Sequence, residues 1–146
     1  MNKLLLTLLS GCAAAGFSPW LQAASNDAKA QYYAAADKAA ADYRDAHAAC
    51  EALDISMQSV CIEEAKLVQT RVKMNAEAHY KNTAQARQRA NIAIANAEFS
   101  VAKARCEFRQ DNEKNFCIKQ AETTRVAAIK SAQTSQKTLA VDTAAR

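Results

Sequence analysis

From Trp20 to Arg146 the chain contains neither glycine nor proline; Gly11, Gly16 and Pro19 all come earlier. Glycine destabilises a helix by backbone entropy and proline by a lost hydrogen bond and a clash, so a long segment free of both has no strong internal breaker. Alanine, lysine, arginine, glutamate and glutamine fill the segment instead, all good helix formers. The expected fold is all-α. The apolar content comes largely from alanine, and aromatics make up only 6% of the chain, so each buried residue removes little surface from water and the core is thin. A chain of this kind gains from covalent staples.

The opening, MNKLLLTLLSGCAAAGFSPWLQAAS, has a cation at Lys3, an apolar run from Leu4 to about Phe17 and small residues after Pro19. That is the pattern of a secretory signal, assigned here to residues 1–24 with cleavage near Ala23 or Ala24. Leu9-Ser10-Gly11-Cys12 also fits a bacterial lipobox, in which Cys12 becomes a lipidated first residue. Cleavage is favoured, because the lipobox route leaves a short apolar core before Cys12 and a greasy tether, AAAGFSPWLQAA, after it. Either route exports the chain, to the periplasm or to the outer membrane as a lipoprotein. No transmembrane anchor is expected, since the apolar run falls short of the ~20 residues a spanning helix needs. What remains suits one small domain, 25–140, followed by a frayed tail, 141–146.

CEALDISMQSVCIEEAK, Cys50 to Lys66, returns as CEFRQDNEKNFCIKQAE, Cys106 to Glu122, a shift of 56 residues. Upstream, Ala36, Ala39, Tyr43, Ala46 and Cys50 correspond to Ile92, Ala95, Phe99, Ala102 and Cys106; downstream, Ile62 and Ala65 correspond to Ile118 and Ala121. Spacings of three and four put each stripe on one helix face. The economical reading is an internal duplication of a helical hairpin, with repeats over about 25–80 and 81–136.

The spacing within each frame admits two arrangements. In a continuous helix Cys50 and Cys61 would lie ~16 Å apart, too far to bond, and would pair instead with Cys117 and Cys106 of the second copy. If the chain reverses between the cysteines, Cys50 bonds Cys61 and Cys106 bonds Cys117. Asp54, Ser56 and Ser59 in one copy and Asp111 and Asn112 in the other are helix-capping types clustered where helix formers otherwise run unbroken, and they favour reversal. A loop of this size is worth roughly 3 kcal/mol in the chain-entropy model, against a domain stability of about 5–15 kcal/mol. Metal binding and redox chemistry both call for cysteines closer together than these, so no metal or cofactor is expected.

The doubled Cys-acidic-x9-Cys-Ile-x-x-Ala frame, with alanine-rich helices before each copy, resembles a group of small exported proteins of beta-proteobacteria. These are often labelled cell-envelope biogenesis proteins for their likeness in composition to the Ala/Lys-rich helical stalk of the Tol system's energy transducer. The resemblance covers most of the mature chain and implies no activity. The group has a Gly-Asn turn between its cysteines, where this chain has Ile55-Ser56 and Asp111-Asn112. A left-handed residue is therefore expected at Asp111 but poorly supplied at Ile55.

These turns give helices over about 25–53, 59–109 and 112–139, an S-shaped rod whose outer helices fold back on a long middle one. A break between Asn75 and Thr83, with Asn82 and Thr83 as a cap, is the alternative and gives a four-helix up-down bundle. Apolar surface left on a long middle helix would be an outlet for homo-oligomerisation. The aromatics, Tyr32, Tyr33, Tyr43, Tyr80 and the phenylalanines, are expected to fill antiparallel, coiled-coil-like interfaces.

Charge is unevenly spread. Residues 25–64 hold eight acidic and three basic side chains, whereas 65–97 hold Lys66, Arg71, Lys73, Lys81, Arg87 and Arg89 against Glu77 alone. This belt is a candidate contact for anionic envelope surfaces; the simpler expectation is that the acidic first helix neutralises it across the hairpin. Nucleic acid is a poor partner for an exported chain without a binding motif. His47 and His79 read as surface or interface residues. Adjacent Glu63 and Glu64 point about 100° apart on a helix and read as first-turn charges of the helix behind Ser59. No phosphate-binding glycine loop and no nucleophile elbow can be built without glycine. The expectation is a non-enzymatic periplasmic module acting through its surface, with a lipoprotein spacer anchored at Cys12 and a holdase-type chaperone as alternatives.

Overall fold

A computed structural model describes the backbone of residues 19–144 and the side chains of residues 26–135. Four helices follow one another: α1 (Pro19–Glu51), α2 (Ile55–Lys81), α3 (Ala84–Cys106) and α4 (Asp111–Ala144). Among the described residues there is no strand. Cys12 and most of the signal lie outside the described residues. The helix α4 runs past its expected end near Leu139, into the stretch expected to fray.

The continuous middle helix is not formed. The chain breaks at Asn82–Thr83, the last two residues of the polar stretch NAEAHYKNT. Asn82 takes the left-handed conformation (φ 43°) and its N–H donates to the Ala78 carbonyl at 2.9 Å. Asparagine is one of the few non-glycine residues that visits this region readily, which is why the helix ends here. Thr83 is extended, and its hydroxyl accepts a hydrogen bond from the Ala86 N–H at 3.0 Å, starting α3. The S-shaped three-helix rod thus gives way to the four-helix up-down form.

The two cysteine turns are built differently. Between α1 and α2 only Ala52, Leu53 and Asp54 are non-helical, so Ser56 and Ser59 lie inside α2 rather than before it. Asp54 occupies the N-cap, without a side-chain cap bond. Between α3 and α4 the link is Glu107–Gln110, and Asp111 follows with φ 45°. Ile55, its counterpart, has no positive φ, as β-branching requires.

Pairing is antiparallel throughout. Tyr32 of α1 stacks on Tyr80 of α2 (ring centroids 5.5 Å apart) at one end of the first hairpin, and Cys50 bonds Cys61 at the other. Arg71 and Arg105 reach Glu98 and Glu64 across the α2/α3 interface. Arg125 of α4 lies over the Phe99 ring of α3 (4.8 Å), and Cys106 bonds Cys117. Among the described residues each helix packs only on its neighbours in sequence, so the four form an open array with α2 and α3 inside.

The core is as thin as composition suggests. Its buried members are Ala39, Ala78, Ala86, Ala90, Ala95, Ala132, Val101, Cys50 and Cys106, and the two cysteines, each 1% exposed, are the largest fully buried side chains. Alanine lets helix backbones approach closely but contributes little transfer free energy per residue. Among the described residues the largest wholly enclosed side chains are therefore Cys50 and Cys106, one from each bridge.

Candidate interaction surface

Both disulfides join neighbouring helix ends, with Cα atoms 5.6 Å apart for Cys50–Cys61 and 5.7 Å for Cys106–Cys117. These are ordinary separations for the bond, and the pairing is the local one. Because α1 and α3 run in the same direction, both clamped turns lie at one end of the array. A groove of about 500 Å³ lies between α2 and α3 near this end, with Ser59 and Ile62 on one wall and Ala104 and Glu107 on the other. The Asn82–Thr83 turn and the start of α1 lie at the opposite end.

The clamped end carries most of the misplaced hydrophobicity. Of the nine large apolar side chains exposed among the described residues, Leu53, Ile55, Met57, Phe108 and Phe116 all sit in or beside these turns. Ile55 is 88% exposed and Phe116 71%. The expectation that every aromatic fills a helix interface fails here: Tyr32, Tyr43, Tyr80 and Phe99 are partly buried, but Tyr33, Phe108 and Phe116 are exposed. The physical reason is position. Phe108 lies in the linker, and Phe116 precedes Cys117 by one residue, which turns it about 100° from the cysteine's inward face. A bulky residue inside each cysteine frame but off the three-and-four stripe was the available signal in the sequence.

Five of the six cations of the basic belt have a side-chain partner, and all six are exposed. Lys66 binds Glu63 at 2.6 Å, Arg71 binds Glu98 at 2.5 Å, and Lys81 and Arg89 share Glu77 at 2.5 and 3.8 Å. Arg87 donates to the Asn82 side-chain carbonyl at 3.1 Å. Lys73 is exposed, on α2. The acidic first helix is not their partner: among the described residues no ion pair links α1 to α2. The cross-helix pairs run between α2 and α3 instead, completed by Arg105 with Glu64 at 2.6 Å.

Glu63 and Glu64 are likewise displaced from their expected place. The helix α2 begins at Ile55, so they lie in its third turn and its first turn has no acid. They face different partners, Lys66 on the same helix and Arg105 on α3. The hydrogen bond from Lys81 holds the Glu77 carboxyl below its usual range, and the one to Glu63 holds the Lys66 ammonium above its own.

His47 lies 3.4 Å from Glu51 and edge-on to Tyr43, while His79 is exposed. No group of three potential metal ligands occurs among the described residues, and no described helix is long and apolar enough to cross a membrane.

Two further grooves occupy corresponding places in the two hairpins. Ala39, Tyr43 and Ala46 face Ala65, Val68 and Val72 in the first, about 180 Å³. Ala95, Phe99 and Ala102 face Ala121, Thr124 and Ala128 in the second, about 120 Å³. Every lining residue of one is 56 positions from its counterpart in the other. In the second, Arg125 covers the ring; in the first Gln69 stands at that position.

No family model matches this chain, and neither the curated proteins nor the solved structures contain a match to it.

Proposed function

We propose that the chain is a non-enzymatic, exported helical module of the bacterial cell envelope, of the alanine-rich group it resembles, and that it acts by presenting its clamped end to a partner surface. The observation that carries this reading is the gathering of five exposed apolar side chains at the one end where both disulfides lie. Exposed apolar patches on soluble chains mark interaction sites, and cystine clamps suit an oxidising compartment. The described carboxylates of α2 are engaged by cations rather than converging on a common point, which fits a binding role better than an acid–base one.

The doubled frame reads as a duplicated hairpin. Its support is the common register of the two disulfides and the position-by-position match of the two grooves. One alternative has a specific observation behind it. The start of α1 lies at the end away from the clamps, so an anchor at Cys12 would hold the apolar end about 50 Å from its membrane, the length of α1 at 1.5 Å per residue. The lipoprotein reading then makes the array a spacer with an outward-facing working end.

The test places a photo-crosslinking residue at Ile55, at Phe116 or, as a control on a helix flank, at Lys130, in the full chain expressed in a Gram-negative host. Adducts from the first two sites well above those from Lys130 are expected; equal yields would end the reading. Mass spectrometry of the purified N-terminus separates the two forms, a start at Ala24 or Ser25 against a diacylglyceryl Cys12.

A further inference from the structure

Helix α1 has a partner on one side only. It packs on α2 through Tyr32, Ala39, Tyr43 and Cys50, and among the described residues no helix covers the opposite face. That face carries Ala30, Ala34, Ala41 and Ala48, the last three in a seven-residue repeat that keeps them on one seam. The same stripe recurs 56 positions on as Ala86, Ala90, Ala97 and Ala104 of α3, and there α2 covers it. Ala86 and Ala90, each 2% exposed, pack with Ala78, and Ala104 lines the groove between α2 and α3. Thus α1 leaves open the face by which its counterpart in the repeat docks a neighbouring helix.

Unlike its counterpart, the α1 face is edged by charge. By helical spacing Asp37 and Arg44 stand on one flank of the seam and Lys38 and Asp45 on the other, where α3 has Ala93, Ser100, Ile94 and Val101. All four are exposed; Lys38 is held by Asp42, and among the described residues no ion pair engages the other three. Each acid lies seven residues, about 10 Å, from the base on its own flank, so the two cannot meet within one helix. Both pairs are symmetric about Ala41 to within one residue. We propose that a second copy of this chain covers the face, α1 against α1 and antiparallel, about a twofold axis at Ala41. Ala34 of each copy then meets Ala48 of the other and Ala41 meets its own equivalent. Asp37 and Lys38 come within one residue's rise of Arg44 and Asp45 across the seam, each facing the opposite charge.

The other way to cover α1 with the same chain is to continue the array, with α4 of one copy standing to α1 of the next as α2 stands to α3. The residues of α4 do not support it. Arg71–Glu98, Arg105–Glu64 and Arg89–Glu77 join α2 to α3, but α4 has Ala127, Gln120 and Gln133 where α2 has Arg71, Glu64 and Glu77. It also has Lys130 and Thr134 in place of Met74 and Ala78. A twofold contact is self-complementary and closes at two copies. Alanines let the helix axes approach to about 8 Å, within reach of the flanking charges. The dimer points its clamped ends in opposite directions, a geometry excluded when both copies are anchored in one membrane through Cys12.

The experiment is sedimentation velocity of the oxidised chain secreted by a Gram-negative host. The seam from Ala30 to Ala48 is about 27 Å long, a contact at the low end of interface sizes, so concentrations from about 1 to 200 µM are covered. Expected is a monomer–dimer equilibrium that weakens at high salt, which screens the exposed pairs. Asp37→Arg alone and Arg44→Asp alone should each weaken it about tenfold or more, by setting like charges face to face. An equimolar mixture of the two variants should associate as the original chain does, because every Asp37–Arg44 contact in the mixed dimer is again between opposite charges. Groups that cannot touch within one copy do not produce such a rescue otherwise, and circular dichroism checks that the variants fold.

A monomer at every concentration, a dimer indifferent to both variants, or a mixture that stays monomeric would overturn the proposal. Oligomers larger than two that respond to Lys130→Glu would overturn it in favour of an array continued through α4. A dimer kept in Asp37→Arg but lost in Ile55→Ser with Phe116→Ser would overturn it by moving the contact to the clamped end. Crosslinks from Ile55 and Phe116 test that other surface and are independent of these outcomes.

Discussion

The two hairpins share a register and a disulfide, yet they are held together by different chemistry. In the first, α1 meets α2 through rings and apolar side chains: Tyr32 stacks on Tyr80, Tyr43 lies beside Val68 and Val72, and no ion pair or side-chain hydrogen bond crosses among the described residues. In the second, polar groups cross the interface. Arg125 lies over Phe99 and donates to the Asn96 side chain at 3.4 Å, and Lys114 pairs with Glu107 across the turn. The turns differ in parallel, one with an uncapped Asp54 and the other with a left-handed Asp111. One arrangement of cysteines and alanines thus tolerates two sets of secondary contacts, because the sulfur bridge already fixes the approach of the helices.

That difference predicts unequal dependence on the bridges. Replacing Cys50 and Cys61 together by alanine removes a loop constraint worth roughly 3 kcal/mol from a hairpin with no polar cross-links. The same change at Cys106 and Cys117 leaves the Arg125 and Lys114 contacts in place. Both variants should melt at lower temperature, the first by more. Hydrogen exchange should show 36–51 losing protection in the first variant before 117–132 does in the second. Equal losses would mean that the cross-hairpin contacts carry no weight.

The next largest effect tests the left-handed position. A non-glycine residue there costs about 1–2 kcal/mol, less for Asp. Asp111→Gly should therefore be neutral or raise stability by a few tenths to 1 kcal/mol, while Asp111→Ala should lower it by about 1 kcal/mol. At Ile55, which has no positive φ, glycine should give no gain and cost about 0.5–1 kcal/mol of helix stability. Urea unfolding of the three variants reads this directly, and a gain at Ile55→Gly would show that the turns are alike after all.

How far the sequence exposes this architecture can be followed at particular residues. The cysteine pairing was readable because Asp54 and Asp111 interrupt runs of helix formers, and the stripe from Ala39 to Cys50 marks an inward face by spacing alone. The break at Asn82–Thr83 could be named as an alternative and no more: both residues are tolerated inside helices, and only the gain from folding α3 back on α2, through Ala78, Ala86 and Ala90, decides it. The charge partners were misassigned for a related reason. Once α2 and α3 are separate antiparallel helices, Arg71 meets Glu98 rather than an acid of α1. The apolar end was the least legible, since Phe116 was expected in a helix interface and Ile55 read only as a turn position, and the exposure of both follows from the register.

A smaller effect sharpens the comparison of the grooves. Arg125→Ala removes the cation from the Phe99 face, an interaction worth about 0.5–1 kcal/mol where partly exposed. The loss is offset in part because the Arg125 Nε–H is buried without a hydrogen-bond partner, so a net cost below 1 kcal/mol is expected. Gln69→Arg in the first hairpin places the same group beside Tyr43 and should stabilise by a similar or smaller amount. Were the graft to destabilise, Val68 and Val72 would have to be performing a packing role that a cation disturbs.

The smallest effect belongs to neither hairpin but to the junction between them, where Glu77 of α2 receives Lys81 and Arg89. The Lys81 hydrogen bond lowers the Glu77 pKa from its ordinary 4.5. A carboxyl depressed in the folded state contributes stability that is complete above its unfolded pKa and is lost as pH falls through the lower folded value. Glu77→Gln should therefore flatten the fall in melting temperature on acidification below about pH 4.5 and lower stability slightly at pH 7. Lys66, raised from 10.5 by Glu63, works with the opposite sign: its contribution is complete below 10.5 and disappears as pH rises beyond. Since Lys66 and Glu63 lie on one helix, Lys66→Met should weaken α2 alone by a few tenths of a kcal/mol, whereas Glu77→Gln should also loosen exchange in the first turns of α3. A pH response confined to α2 in both variants would mean that the Arg89 contact at 3.8 Å contributes nothing to joining the hairpins.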